Sequence, residues 1–434
     1  MLKRIASADF SQLLANSGKL FGGNAGASAL NLVAVALIGK ALGPAAFGIF
    51  AMFVATAQIV SELANLNSWQ AIISFSGHAV ADKDDARLGE IVRFSALCDI
   101  LAHLGFVAIA TMGIAIALRL SLFPAQLEPL AFLILIPLIA DAVTASATGI
   151  LRLFNRFGYL SFSAPVGPAV TVVGALWLTW QGGSLDDFVA MAIAAMAIPP
   201  MIVLIGAIAV LRRQGISLTG PAMRDERGGF LRFLLVTNLN STLTLIVRRV
   251  DILVVGGLGS AYSAGIYRVA KAIGSVTGLL QTPFYVAIFP QIARLVGQRD
   301  EGGIRRLSRQ AALLMGGVNL AILAGFLVLG SFFLDLVFGA NYADAWPVAL
   351  VYLAGMVFTG LALPLNPIVM AMKRPSLTLV AHIAANTLFL LLCLPLVPQL
   401  GALGAALAFA LQSLLWFVLM LRFANRSLAE STQC

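Results

Sequence analysis

Long uninterrupted apolar runs decide what this chain can fold into. A hydrocarbon layer about 30 Å thick takes roughly 20 apolar helical residues per crossing. The 434-residue sequence supplies twelve such stretches, near 17–41, 45–67, 92–118, 129–151, 158–180, 187–211, 230–256, 261–288, 308–334, 346–371, 376–397 and 400–421. Barrel strands would instead show alternating segments of about ten residues, so the expected fold class is all-α integral membrane with twelve transmembrane helices. Short turns punctuate the spans, among them Leu42-Gly43-Pro44, Gly182-Gly183, Gly220-Pro221, Gly302-Gly303 and Lys373-Arg374-Pro375. Only 11% of the residues are charged and 60% are hydrophobic, against about 25% charged in soluble domains. Such a composition excludes disorder, a disulfide scaffold and any sizeable water-soluble catalytic domain.

Cations set the orientation, because Lys and Arg near span ends stay on the cytoplasmic side. Of the 28 Lys and Arg, 22 lie in the N-terminus, the turns after even-numbered spans and the C-terminus. Two, Lys40 and Arg119, lie near the opposite face, and the remaining four fall inside spans. Both termini are therefore expected in the cytoplasm. The net charge of +9 is mostly topology, not a nucleic-acid footprint. Lys3 and Arg4 are followed by a polar stretch instead of a signal-peptide core, and Ile5, Phe10, Leu13 and Leu14 would line a short interfacial helix. Cys98, Cys393 and Cys434 show no paired spacing and read as bystanders.

The chain also repeats itself. Leu42-Gly43-Pro44-Ala45-Ala46-Phe47-Gly48-Ile49-Phe50 returns as Leu258-Gly259-Ser260-Ala261-Tyr262-Ser263-Ala264-Gly265-Ile266-Tyr267 with one inserted residue, at an offset of 216 to 217. Asn155-Arg156-Phe157 is matched by Lys373-Arg374-Pro375 at an offset of 218. These offsets divide the chain into two six-span lobes, 1–212 and 229–434, joined by the polar cytoplasmic linker 213–228. Six spans return the chain to its starting side, so the lobes would be parallel repeats about an axis along the membrane normal.

Charges well inside spans are costly and point to function by default. Arg248, Arg249, Asp251, Arg268 and Lys271 meet at one level, roughly 10–16 Å from the turn near 257–260 at about 1.5 Å per residue. One aspartate cannot neutralise four cations, and the repeat places Leu32, Val33, Val35, Ala51 and Val54 at the equivalent positions. The fold therefore tolerates apolar residues there, which favours an anion-binding site over a structural ion pair of Asp251 with Arg248 or Arg268. Asp99 and His103 share a helix face at i,i+4, Asp141 lies in the next span and Glu62 near the end of the second. These four are candidates for binding a coupling Na⁺ or H⁺; the alternative is a structural hydrogen bond between Asp99 and His103. No P-loop, metal-ligand spacing or Gly-x-Ser-x-Gly elbow occurs, and no cofactor or metal is expected. The small-residue stretches 22–27 and 401–406 read as close helix packing.

Leu42-Gly43-Pro44-x-x-Phe47-Gly48-Ile49-Phe50, Asp251 followed by Gly265-Ile266-Tyr267, Phe289-Pro290, and Pro398-x-x-Gly401-Ala402-x-Gly404-Ala405-Ala406 together resemble the polysaccharide and O-antigen flippases of the multidrug/oligosaccharidyl-lipid/polysaccharide exporter superfamily. The likeness spans nearly the whole chain. It departs where that family often carries Asp-Leu-Gly, since this chain reads Asn65-Leu66-Asn67. The resemblance implies two lobes in pseudo-twofold relation around a central cavity, opening alternately to each face of a bacterial inner membrane. It implies a lipid-diphosphate-linked oligosaccharide as cargo, membrane lipids as surroundings, and a glycan polymerase and glycosyltransferases as pathway partners. Arg248, Arg249, Arg268 and Lys271 would then cradle the diphosphate and Asp251 would orient them. A cation-coupled multidrug exporter using Asp99, Asp141 and Glu62 is the alternative, and a membrane glycan polymerase or ligase is a third reading disfavoured by the short outer loops.

Overall fold

The computed structural model describes residues 2–120, 125–217, 219–223, 225–372 and 374–431, and within these the side chains of 2–17, 78, 81, 125–126, 236, 239–249 and 430–431 lie outside the description. The proposed interfacial face of Ile5, Phe10, Leu13 and Leu14, as well as Cys434, is thus outside the described residues. The described chain is all helix and turn. Its helices are α1 (Leu2–Ala64), α2 (Trp69–Ala81), α3 (Asp85–Arg119), α4 (Leu135–Ala140), α5 (Thr144–Leu153), α6 (Phe157–Gln181) and α7 (Leu185–Arg213). They continue as α8 (Arg227–Leu258), α9 (Ala261–Gly297), α10 (Glu301–Val337), α11 (Ala345–Ala362), α12 (Leu365–Ala371), α13 (Pro375–Leu400) and α14 (Ala402–Ser431). Two 3₁₀ segments, Ala125–Ile134 and Ala340–Tyr342, precede α4 and α11.

Among the described residues, ten stretches are long and apolar enough to cross a bilayer. One of them, Gly18–Gly77, is 60 residues long and contains two of the expected spans. The chain turns between those two at Gly43, whose φ of 72° lies in the left-handed region that a residue without Cβ adopts freely. α8, at 32 residues, is also long enough to cross.

Two expected spans are broken. The fourth is a 3₁₀ lead-in, α4 and α5, interrupted at 141–143, and the tenth is α11 and α12, interrupted at 363–364. Pro364 has no N–H to continue the ladder of α11. At the first break Val143 leaves helical geometry, with φ −126° and ψ 11°. Both breaks fall in corresponding spans of the two repeats. Another difference concerns Gly302-Gly303, which lies in the first turn of α10 under an Asp300 cap (Gly303 N–H to Oδ1, 2.8 Å). The turn itself is made by Arg299 at φ 56°.

The chain packs as two compact units, 1–34 with 52–250, and 35–51 with 251–434. In the first, Ile72, Leu151, Ala207 and Leu211 form one core, and Phe94, Met223 and Phe230 another. The polar linker belongs to this unit. Arg93 donates to the carbonyls of Ser217 (2.5 Å) and Pro221 (2.8 Å), and the Met223 N–H donates to Glu90 O (3.1 Å).

In the second unit, Ile292, Val369, Ala381 and Met420 are buried together. Its segment 35–51 is held by backbone approach to α9. A Cβ on Gly48 would run into the Ala261 carbonyl, and one on Gly265 into the Pro44 carbonyl. These glycines are 217 residues apart (265 − 48), so the two copies of the repeated motif meet each other. The Tyr342 hydroxyl adds a hydrogen bond to Gly39 O at 2.8 Å.

Gly48→Ala or Gly265→Ala should therefore destabilise the protein by about 1–3 kcal/mol through overpacking. Gly257→Ala, whose Cβ would meet nothing within 4 Å, serves as the control. Thermal unfolding followed by size-exclusion in detergent compares them; equal melting of all three variants would contradict the close approach.

Candidate functional site

In the second unit the buried charge centres on Asp251, near the end of α8. Its Oδ2 accepts from Lys271 Nζ at 2.6 Å and from the Tyr267 hydroxyl at 3.3 Å, while Oδ1 accepts the Ile252 N–H at 2.9 Å. Lys271 lies about 15 Å along α9 from its start, so the pair sits far inside the apolar layer. Arg268 is half-buried on the same helix, at i,i+3 from Lys271, on a shared face. The packing behind them holds the rotation of α9. Tyr267 is fully buried and meets Tyr352 edge-on at 5.9 Å, and Tyr352 stacks on Phe409 at 4.0 Å. Gly274 has no Cβ to displace the Tyr352 ring.

Asp251 thus pairs with Lys271. The side chains of Arg248 and Arg249 lie outside the described residues, although both positions are helical.

In the first unit a second polar network forms where α4 gives way to α5. Asp99 on α3 is 0% exposed, and its Oδ2 accepts three hydrogen bonds: Ser68 Oγ (2.8 Å), Ser146 Oγ (2.6 Å) and Ser146 N–H (3.1 Å). The physical reason is the helix break. α5 starts at Thr144 and has no side-chain cap of its own, and the first N–H groups of any helix need acceptors. Asp99 supplies one from another helix, with its negative charge favourably placed at the positive end of the α5 dipole. Ser95 Oγ extends the network to Ser146 Oγ at 2.8 Å.

Asp141 marks the end of α4. It accepts from Asn65 Nδ2 (3.3 Å) and Ser61 Oγ (3.5 Å) at the end of α1, where half-buried Glu62 also lies. His103 is 3% exposed and bonds through Nδ1 to Asp99 at 2.8 Å, the partner atom being the backbone carbonyl. An N–H on Nδ1 is the donor there. His103 lies within electrostatic range of both Asp99 and Asp141. Among the described residues, Asp99 Oδ1 and His103 Nε2 are buried with no hydrogen-bond partner, and no three His, Cys, Asp or Glu side chains gather as a metal site.

Comparison with known proteins places the chain in a family. Residues 13–296, well over half of the chain, match the family described as polysaccharide biosynthesis protein. The chain belongs to this family. Its curated relative, inner membrane protein YghQ of Escherichia coli (strain K12), is 24% identical over 352 residues, covering 79% of this chain and 96% of that protein. Among solved structures, an inward-facing MATE family multidrug resistance transporter of the MOP superfamily superposes with a TM-score of 0.77 at 12% identity, covering 94% of this chain and 96% of the other. Lipid II flippase MurJ, in an inward closed conformation, gives 0.68 at 14% identity over 91% and 85%. This member of the polysaccharide biosynthesis family therefore has the MurJ- and MATE-like transporter fold, in a multi-pass membrane protein.

For this family member, spacing located Asp251, Lys271, Asp99 and His103 but missed the serines. Ser68, Ser95 and Ser146 are remote in sequence and carry no charge, so only the helix break brings them to Asp99. The Asn65 departure noted above also acquires a partner, Asp141. The signal that was legible in principle is Asp141 itself, an acid inside an apolar run at the place where the helix stops.

Removing Asp251 should strand Lys271, so Asp251→Ala is expected to cost up to about 3 kcal/mol, with much of the loss recovered in Asp251→Ala/Lys271→Met. A double-mutant cycle on detergent melting curves measures the coupling, and additive effects would contradict a buried pair. Asp99→Ala leaves Ser68 and Ser146 donors unmet and should cost at least about 2 kcal/mol, with Asp99→Asn costing less because its amide oxygen still accepts.

Proposed function

We propose that this chain is a flippase that moves a lipid-diphosphate-linked oligosaccharide outward across the inner membrane for O-antigen, capsule or exopolysaccharide assembly. Alternating access of two six-helix lobes carries the cargo, with no covalent step. The observation behind this reading is the cationic face of α9, Arg268 beside Lys271, at a depth where a helix otherwise has no reason to carry charge. Membership of the polysaccharide biosynthesis family and the fold shared with a lipid II flippase support it.

A diphosphate needs cationic donors, its sugars need water, and its lipid tail can remain in the bilayer. Asp251 holds Lys271 through a 2.6 Å bond until the anion arrives. Lys271 then acts as a point charge, while Arg268 offers forked contacts to phosphate oxygens. Glycosyltransferases that build the cargo and a polymerase that consumes it would be partners in the pathway.

Coupling is assigned to the first unit, where Asp99, His103, Asp141 and Glu62 surround a broken helix. We read the coupling ion as a proton, because Asp99 Oδ1 is buried with no hydrogen-bond partner among the described residues, a position that a proton fills. Protonating Asp99 removes the negative charge at the N-terminus of α5, so proton uptake would loosen a half-helix. This acidic network is also the observation that favours the second reading, a cation-coupled multidrug exporter.

Translocation of a fluorescent lipid-diphosphate oligosaccharide in proteoliposomes tests the proposal. Arg268→Gln/Lys271→Gln should lower transport by about tenfold or more, corresponding to about 1.4 kcal/mol or more of lost stabilisation; normal transport by this variant would remove the cargo role. Asp99→Asn should keep transport but abolish its acceleration by an imposed pH gradient. Efflux of a cationic dye without glycan translocation would favour the exporter.

A further inference from the structure

A cavity of about 430 Å³ opens where α1, near Lys19, meets the start of α6, lined by Lys19, Asn155, Arg156, Gly158, Tyr159 and Phe162. It lies on the cation-rich face of the membrane and belongs wholly to the first unit. Neither the buried network nor the α9 cations include any of these residues.

The lining has the chemistry of a phosphate seat. Lys19 and Arg156 bring two positive charges, and no acidic side chain lines the cavity. Neither cation has an ion-pair partner among the described residues. Asn155, in left-handed geometry at φ 55°, turns the chain out of α5, so that Arg156 becomes the N-cap of α6. That cap makes no side-chain hydrogen bond; the Tyr159 N–H turns back to the Arg156 carbonyl at 3.3 Å, and the N–H groups of Phe157 and Gly158 lie at the positive end of a 25-residue helix. A Cβ on Gly158, in that first turn, would meet nothing within 4 Å, so the approach is open.

The two helices are brought together tightly just below. A Cβ on Gly23 would collide with the Ser161 backbone, and Ser161 Oγ donates to the Lys19 carbonyl. Tyr159 rests over Gly206 of α7, where a Cβ would displace its ring. Phe162, 65% exposed, stands about 9 Å along α6 from Arg156, toward the apolar layer.

We propose that this cavity seats the phosphate of an anionic membrane phospholipid from the cation-rich face, with its acyl chains running past Phe162. Basic pockets between transmembrane helices on the cytoplasmic side take anionic headgroups in this way. A volume of about 430 Å³ falls in the range of pockets that take a small polar group, ample for a glycerophosphate. The seated lipid bridges Lys19 to Arg156 and so ties the start of α1 to the turn between α5 and α6.

Native mass spectrometry of the full-length protein in mild detergent, titrated with phosphatidylglycerol or phosphatidylcholine, tests this. The wild type should retain one phosphatidylglycerol in preference to phosphatidylcholine. Lys19→Gln/Arg156→Gln should bind it about 20- to 30-fold more weakly, at roughly fivefold per basic residue. Gly158→Leu, which fills the cavity without changing charge, should also lose the lipid. Arg212→Gln/Arg213→Gln, which removes two exposed cations elsewhere, should not.

Equal retention by wild type and Lys19→Gln/Arg156→Gln would overturn the proposal, as would undiminished binding by Gly158→Leu or an equal loss in the Arg212/Arg213 control. Retention of a polyprenyl diphosphate in place of phosphatidylglycerol would also overturn it, and would make the cavity a cargo entry site.

Discussion

Inside hydrocarbon a backbone amide has no water to bond, and this chain is arranged around that constraint. Continuous helices satisfy it locally, which is why the described residues are helix joined by short turns. Where a helix stops within the membrane, another element must complete it. At 141–143 the chain does so with polar groups from three directions: Asp99 from α3 accepts the Ser146 N–H, Ser68 joins the same carboxylate oxygen, and Asn65 and Ser61 reach Asp141. A structural requirement thereby gathers titratable groups at one place. An acid that caps a half-helix is also an acid whose protonation changes that helix.

The second unit meets a different version of the problem, charge in place of backbone. Asp251 and Lys271 neutralise each other at 2.6 Å, and Tyr267 adds its hydroxyl. Aromatic packing of Tyr267, Tyr352 and Phe409 behind α9 fixes the direction in which Arg268 and Lys271 project. The equivalent positions in the first repeat are apolar, so neither the repeat nor the close packing of Gly48 against α9 calls for this cluster.

Packing and chemistry are divided differently along the chain. The repeat suggests lobes that change at the polar linker, yet contacts group residues 35–51 with 251–434 and bind the linker to α3. The cause is backbone approach at Gly48 and Gly265, which a side chain on either would prevent. Those glycines belong to the motifs that first betrayed the repeat.

Apolar run length by itself determined the membrane class and the all-helical fold, because bilayer thickness and backbone satisfaction leave few other solutions. Charge in such runs likewise identified Asp251, Lys271, Asp99 and His103, since desolvation makes each costly wherever it sits. What only the tertiary structure decided was partnership. Spacing offered Arg248 and Arg268 as partners for Asp251, and the facing of α8 and α9 brings Lys271 to it at 2.6 Å. Uncharged Ser68, Ser95 and Ser146 became part of a site only through the break between α4 and α5, and Lys19 came to line one cavity with Arg156 because Gly23 lets α1 approach Ser161. Hydropathy records how much a residue costs to bury, whereas hydrogen bonds and ion pairs depend on distance and direction between residues far apart in the chain.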